Sequence, residues 1–189
     1  MKITLSRILF FVFSFAFLAN PAIAFDDESG SSASGQTMYT MTNLWYEKPK
    51  KILPLFHKGN MIPVGTKVKI DDTSSKVIEF TREDGMSFRI YSQKYYKMTG
   101  DEMAKLLFSK NNPTAKGGKF HSFTQMERDQ IKLGKLKKGM SRDAAIMAYG
   151  YPPTHKNPDV NADTWEVWEH RWNRFIITFK DNKISNIQD

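Results

Sequence analysis

The chain has no cysteine. That excludes a disulfide framework, thiol catalysis and acylation of a cysteine behind a leader. Its four histidines, His57, His121, His155 and His170, never stand four residues apart, so no helix-borne pair of metal ligands is present and neither a metal nor a cofactor is expected. There is no Gly-x-Ser-x-Gly nucleophile elbow. The nearest string, Gly30-Ser31-Ser32-Ala33-Ser34-Gly35, misses the spacing. No glycine-rich phosphate cradle follows a strand. Asp71-Asp72 falls in an expected turn, where solvation accounts for it, and nothing singles out a carboxylate pair for glycosidic cleavage. No catalytic residue is assigned.

Long apolar runs are also missing. The longest, Ile8 to Ala19, has about 12 residues, short of the roughly 20 that span a bilayer. Lys2 and Arg7 precede it, Pro21 breaks it, and Ala22-Ile23-Ala24 gives a small-x-small cleavage pattern. A cleaved secretory signal is expected, with the cut after Ala24, the mature chain in the periplasm and no membrane span remaining. An uncleaved anchor would need a longer core. Without Lys2 and Arg7 the net charge falls from +8 to +6 and is spread over both halves. Nucleic acid is not an expected partner. A mild basic excess favours anionic ones or serves solubility alone.

Phe25 to Thr37 is polar and rich in Ser and Gly, the composition of a flexible tether. Ser109 to His121, with Asn-Asn-Pro and Gly-Gly, reads as a linker between residues 38–108 and 122–189. The first segment reads as β. Met38 to Thr42 and then Trp45-Tyr46 favour strands. Pro63 and Gly65 make a turn, Val68 and Ile70 alternate with Lys67 and Lys69, and Val77, Ile78 and Phe80 mark the next strand. Asp84-Gly85 turns into Phe88 and Ile90, which alternate with polar neighbours. Thr99 and Glu102 form a capping box for a helix from Gly100 to about Phe108. A small β-barrel or sandwich with a C-terminal helix is expected.

The second segment reads as α-α-β-β-β. Ser122 with Gln125 is expected to cap a helix from Phe123 to Leu133, stopped by Gly134. Ser141 caps another over Arg142 to Tyr149, stopped by Gly150. Strands follow around Trp165 to Trp168, at Phe175 to Phe179 and, past an Asp181-Asn182 hairpin, at Ile184 to Ile187. The two helices are the available cover for one sheet face. The expected class is α+β.

Two resemblances accompany this pattern. Leu136 to Pro153, with Gly139-Met140-Ser141 opening a helix and Gly150-Tyr151-Pro152 leaving it, then Asp163 to Trp168 and the last two strands, resembles the SmpA/OmlA (BamE-like) family over residues 122–189. That implies a two-helix, three-stranded domain and an accessory role in the cell envelope, such as outer-membrane protein assembly; the same fold occurs in secreted enzyme inhibitors. The chain departs from the lipoprotein members in lacking the acylated cysteine. Ile62 to Ile70 and the Asp84-Gly85 hairpin are similar to bacterial SH3-like barrels, which implies a groove, lined by aromatics, for peptides or cell-wall polymer.

Aromatics beside basic residues supply the candidate sites. Trp168, Arg171, Trp172 and Arg174 have the composition of a protein-binding hot spot, on the face opposite Trp165 if the strand runs through Arg171 without a bulge. A small domain also needs Trp for its core. Trp45, Tyr46, Tyr95 and Tyr96 are groove candidates or edge packing. The basic run Lys132, Lys135, Lys137, Lys138, Arg142 is a solvated face or an anion site. The expectation is a non-catalytic periplasmic binding or scaffold protein for envelope proteins or cell-wall polymer. An enzyme inhibitor and a wall-acting enzyme remain as alternatives. A deep cleft holding two carboxylates would favour the enzyme, and a flat aromatic-basic face would favour binding.

Overall fold

The computed structural model describes residues 33–188, which lie within one compact unit. The expected signal peptide, its cleavage site and residues 25–32 of the expected tether lie outside the described residues. The last tether residues are fixed: the Gly35 amide donates to Ile70 O, and Thr37 opens the first strand.

The first half is an open antiparallel sheet. Its strands are β1 (Thr37–Thr40), β4 (Lys67–Thr73), β5 (Val77–Arg82), β6 (Ser87–Tyr91) and the two-residue β7 (Phe108–Ser109), in the order β6-β5-β4-β1-β7. The alternation is as expected: Val68, Ile70, Ile78, Phe80, Phe88 and Ile90 are buried, and polar neighbours face out. Among the described residues no closed barrel forms, which corrects the expected barrel. β2 (Leu44–Tyr46) and β3 (Asn60–Ile62) pair with each other in a separate ribbon, so they do not bridge the sheet's ends. The β6 edge is instead stitched to the loop after β2, where Ile52 bridges Ile90 and the Arg89 amide donates to Pro49 O. Asp71 and Asp72 lie in β4 rather than in a turn, and a bulge between Ile70 and Asp72 turns them to solvent. A short helix α1 (Gln93–Tyr96) precedes α2 (Gly100–Leu107), which starts at the expected Thr99–Glu102 capping box.

The second half begins with a 3-10 turn, Lys119–Ser122, which buries Phe120. Helix α3 (Gln125–Leu133) does not start at Ser122. Thr124 is the cap, and Glu127 completes the box. Two overlapping cap patterns compete here. The carboxylate of Glu127 also accepts from the Ser141 amide at 2.7 Å, which the neutral Gln125 of the other register would not match as strongly. Ser141 caps α4 (Arg142–Tyr149) as expected. The helices lie over an antiparallel sheet, β10-β9-β8, made of β8 (Thr164–His170), β9 (Asn173–Lys180) and β10 (Lys183–Gln188). Asp181 and Asn182, with φ of 52° and 59°, make the β9–β10 hairpin. Trp165, Val167, Ile177 and Phe179 face the helices and are buried.

Buried polar groups join the two halves. The Asn43 amide donates to Ile131 O at 2.7 Å and Ala148 O at 3.0 Å, and its carbonyl accepts from the Val64 amide at 2.8 Å. The Ala148 carbonyl would look for the amide four residues on, but that residue is Pro152, which has none. Asn43 supplies the missing donor.

The free edge of β8 is covered by Asn157 and His57. Asn157 accepts from the Glu166 amide at 2.8 Å and donates to Glu166 O at 2.9 Å. The His57 amide donates to Glu169 O, and its Nδ1 lies 2.6 Å from Trp168 O.

Candidate functional site

The sequence candidates divide into three places. Trp168 and Arg174 are direct cross-strand partners on the sheet face opposite Trp165, so strand parity holds as far as Trp168. A bulge between Trp168 and His170 then ends the alternation. Arg171 and Trp172 fall in the β8–β9 turn, which removes them from that face. Trp172 is 82 % exposed, and the Arg171 guanidinium lies 4.9 Å from its ring. Arg174 is paired with Glu166 at 2.9 Å. Trp168 is half-buried against the first core and stacked on His155, which in turn meets Tyr95. Tyr96 belongs to the core: it is buried, and its hydroxyl donates to Tyr151 O. Of the four groove candidates, Trp45 and Tyr46 stay together, while Tyr95 and Tyr96 serve the junction between the halves.

Arg142 leaves the basic run. It is buried, donates to Val160 O and Ala162 O, and lies 4.0 Å over the Phe179 ring. Lys132, Lys135, Lys137 and Lys138 remain on the α3–α4 surface.

Trp45 separates two clefts. One, of about 350 Å³, has Trp45, Tyr46, Leu53 and Phe56 as its apolar wall and Glu47, Lys48, Lys51 and Lys58 on its rim. The rings are held from behind: Tyr46 meets Phe88 edge-on at 5.1 Å, and Tyr46, Leu53 and Phe56 pack on the first core. Lys58 pairs with Glu47 at 3.3 Å, and both are exposed. The other cleft, of about 430 Å³, lies between the halves and is lined in part by Trp45, His57, Leu133, Tyr149, Glu169 and Phe175. Gly134 makes the close approach of Trp45 possible. Its φ is 63°, and a Cβ there would lie 2.5 Å from the indole ring. Leu133 is exposed at the rim of this cleft.

His57 braces the wall between the clefts. Its ring stacks on Tyr149 at 3.4 Å and meets Trp45 edge-on at 4.8 Å. One nitrogen faces Trp168 O and the other faces Tyr149 O. Burial pushes the imidazole down to about 4, against the opposing pull of these two carbonyls and of the Glu169 charge. Burial thus favours the uncharged ring. Such a ring can donate to only one of the two carbonyls; the second contact favours the protonated form, which is why both carbonyls pull against burial. Glu127 is shifted by a second structural role. Burial disfavours its charge, but bonds from Ser141 and Thr124 outweigh that and hold the carboxyl at about 2.

Sequence reasoning missed Lys48, Lys51, Phe56, His57 and Lys58. The segment 45–58, WYEKPKKILPLFHK, carries the signal: aromatics and lysines punctuated by two prolines, with no strand period.

Each cleft holds a single carboxylate, and each carboxylate has a partner. Glu47 is with Lys58 and Glu169 accepts from Asn173. A third depression on the β8–β9 face holds only Glu166, which is paired with Arg174. Among the described residues no three His, Asp or Glu side chains gather to hold a metal ion, and no helix is long and apolar enough to cross a membrane.

The fold is thus an α+β arrangement: a five-stranded antiparallel sheet, then helices, then a three-stranded antiparallel sheet. No protein-family model, no curated protein and no solved structure matches this chain.

Proposed function

We propose that this chain is a non-catalytic binding or scaffold protein of the bacterial cell envelope that holds a protein partner on the face carrying Trp45. The observation that carries the reading is the pair of clefts on either side of Trp45, with preformed aromatic walls and partnered carboxylates. Such walls supply apolar contact at little ordering cost, which suits binding. The shifted groups support the same reading. Glu127 is consumed by helix capping and His57 by bracing, so neither is poised to transfer a proton to a substrate. Location in the periplasm rests on the N-terminal pattern of Lys2, Arg7, the apolar run and Ala22-Ile23-Ala24. A BamE-like second half is the fold assignment of this proposal. It rests on the Gly139-Met140-Ser141 pattern and agrees with the α-α-β-β-β order.

The test is site-specific photocrosslinking of the full chain in living bacteria. Benzophenone side chains at positions 51 and 133, one beside each cleft, should trap the same protein. One at position 116, an exposed site in the segment between the halves, should trap none. Capture at position 116 alone would overturn the reading.

A further inference from the structure

Resting on that reading, we propose that the cleft walled by Trp45, Tyr46, Leu53 and Phe56 takes an extended acidic segment of a protein partner, one apolar side chain in the cleft and carboxylates on its lysine rim. The rim carries Lys48, Lys51 and Lys58 against one acid, Glu47. Glu47 is already neutralised by Lys58 at 3.3 Å. Lys48 and Lys51 have no ion-pair partner among the described residues and are exposed, so their charge is offered outward. A cleft of about 350 Å³ is near the lower end of the ~300–1,000 Å³ of ligand pockets, which fits one large side chain rather than a folded domain.

The backbone of this wall is fixed. The Ile52 amide donates to Arg89 O and the Tyr91 amide to Ile52 O, so β6 anchors the loop that carries Lys48 and Lys51. Leu53 and Phe56 pack on the first core behind it. Little ordering is left to oppose binding. Like charges on a basic partner would meet uncompensated lysines, so the rim rejects such a partner as well as attracting an acidic one.

The probe is a fluorescein-labelled peptide, DEFDEL, titrated with the full chain and read by anisotropy. Comparison peptides are KKFKKL, which reverses the charge, and DESDES, which lacks the apolar anchors. DEFDEL should bind, DESDES at least tenfold more weakly, and KKFKKL not at all. Lys48→Glu with Lys51→Glu should weaken DEFDEL at least tenfold, and Lys48→Arg with Lys51→Arg should restore it. Both lysines are exposed, so the fold should survive either change, and an unchanged melting temperature checks this. No binding of DEFDEL up to about 1 mM, the weak end of measurable affinity, overturns the proposal. So does equal binding by the double Glu variant. Vesicles of phosphatidylcholine with one quarter phosphatidylglycerol are the rival anion, and capture of vesicles but not peptide also overturns it. Photocrosslinks at positions 51 and 133 without peptide binding would leave the functional reading standing and remove only this inference.

Discussion

Replacing Asn43 by Ala should destabilise the protein by about 3–4 kcal/mol. The side chain is 2 % exposed, and three backbone groups depend on it. They do not lose equally. Ile131 O still accepts from the Gly134 amide at 3.1 Å. Ala148 O has no helical donor because Pro152 stands four residues on, and the Val64 amide loses its acceptor. One buried and one half-buried group left unpaired, at roughly 1–3 kcal/mol each, give the stated size. Against a typical total of about 5–15 kcal/mol, the fall would be large. It corresponds to a melting temperature lower by about 10 °C, at roughly 2–4 °C per kcal/mol for a chain of this length. The assay is urea unfolding followed by far-ultraviolet circular dichroism and tryptophan fluorescence, which also tests whether both halves still unfold together. Asn43→Asp keeps an acceptor for Val64 but points a carboxylate at two carbonyls, so it should be no better than Ala. A loss below about 1 kcal/mol with an unchanged denaturant slope would refute the reasoning, because the orphaned groups would then have found other partners.

Glu127→Gln should cost about 1–2 kcal/mol at pH 7, since a charged acceptor for Thr124 and Ser141 becomes a neutral one. In the unaltered protein this carboxyl sits at about 2 against an ordinary 4.5, so its contribution is complete above pH 4.5 and is lost as pH falls toward 2. Thermal melts across that window should show a shallower acid loss for the variant. His57, held at about 4 against an ordinary 6.5, favours the folded state above pH 6.5 and loses that contribution as pH falls to 4. His57→Phe should flatten the stability profile between those limits, and an unchanged slope would contradict the assignment of His57 as an uncharged brace.

Local chemistry was legible in the sequence. The Asp84-Gly85 and Asp181-Asn182 turns, the Thr99 and Ser141 caps and the alternation of Val68, Ile70, Phe88 and Ile90 all depend on neighbours a few residues away. What escaped depends on distant partners. Ser122 gave way to Thr124 because Glu127 reaches Ser141, 14 positions on. Tyr96 reads as a groove aromatic until Tyr151 O, 55 positions away, accepts its hydroxyl. Arg142 belongs to a basic run by position, yet Val160, Ala162 and Asn182 draw it inward. The barrel stayed open because β2 and β3 found each other, a pairing that strand propensity does not rank against closure. Of the clefts, only Trp45 and Tyr46 were visible beforehand; the loop that completes one of them has no period to read.

The covered edge of β8 has a further consequence, for how the protein behaves in a crowded compartment. An uncovered strand is a template on which a second chain can lay its own backbone, and growth by that route has no natural end. Here the template is masked by two residues of different origin. Asn157 comes from the strand's own approach and His57 from the other half of the molecule. The mask is therefore complete only when both halves are folded and joined. A nick or mutation that loosened the first half would uncover Trp168 and Glu169 at a stroke, and the damage would show as self-association rather than as a change in the second half's own helices and strands.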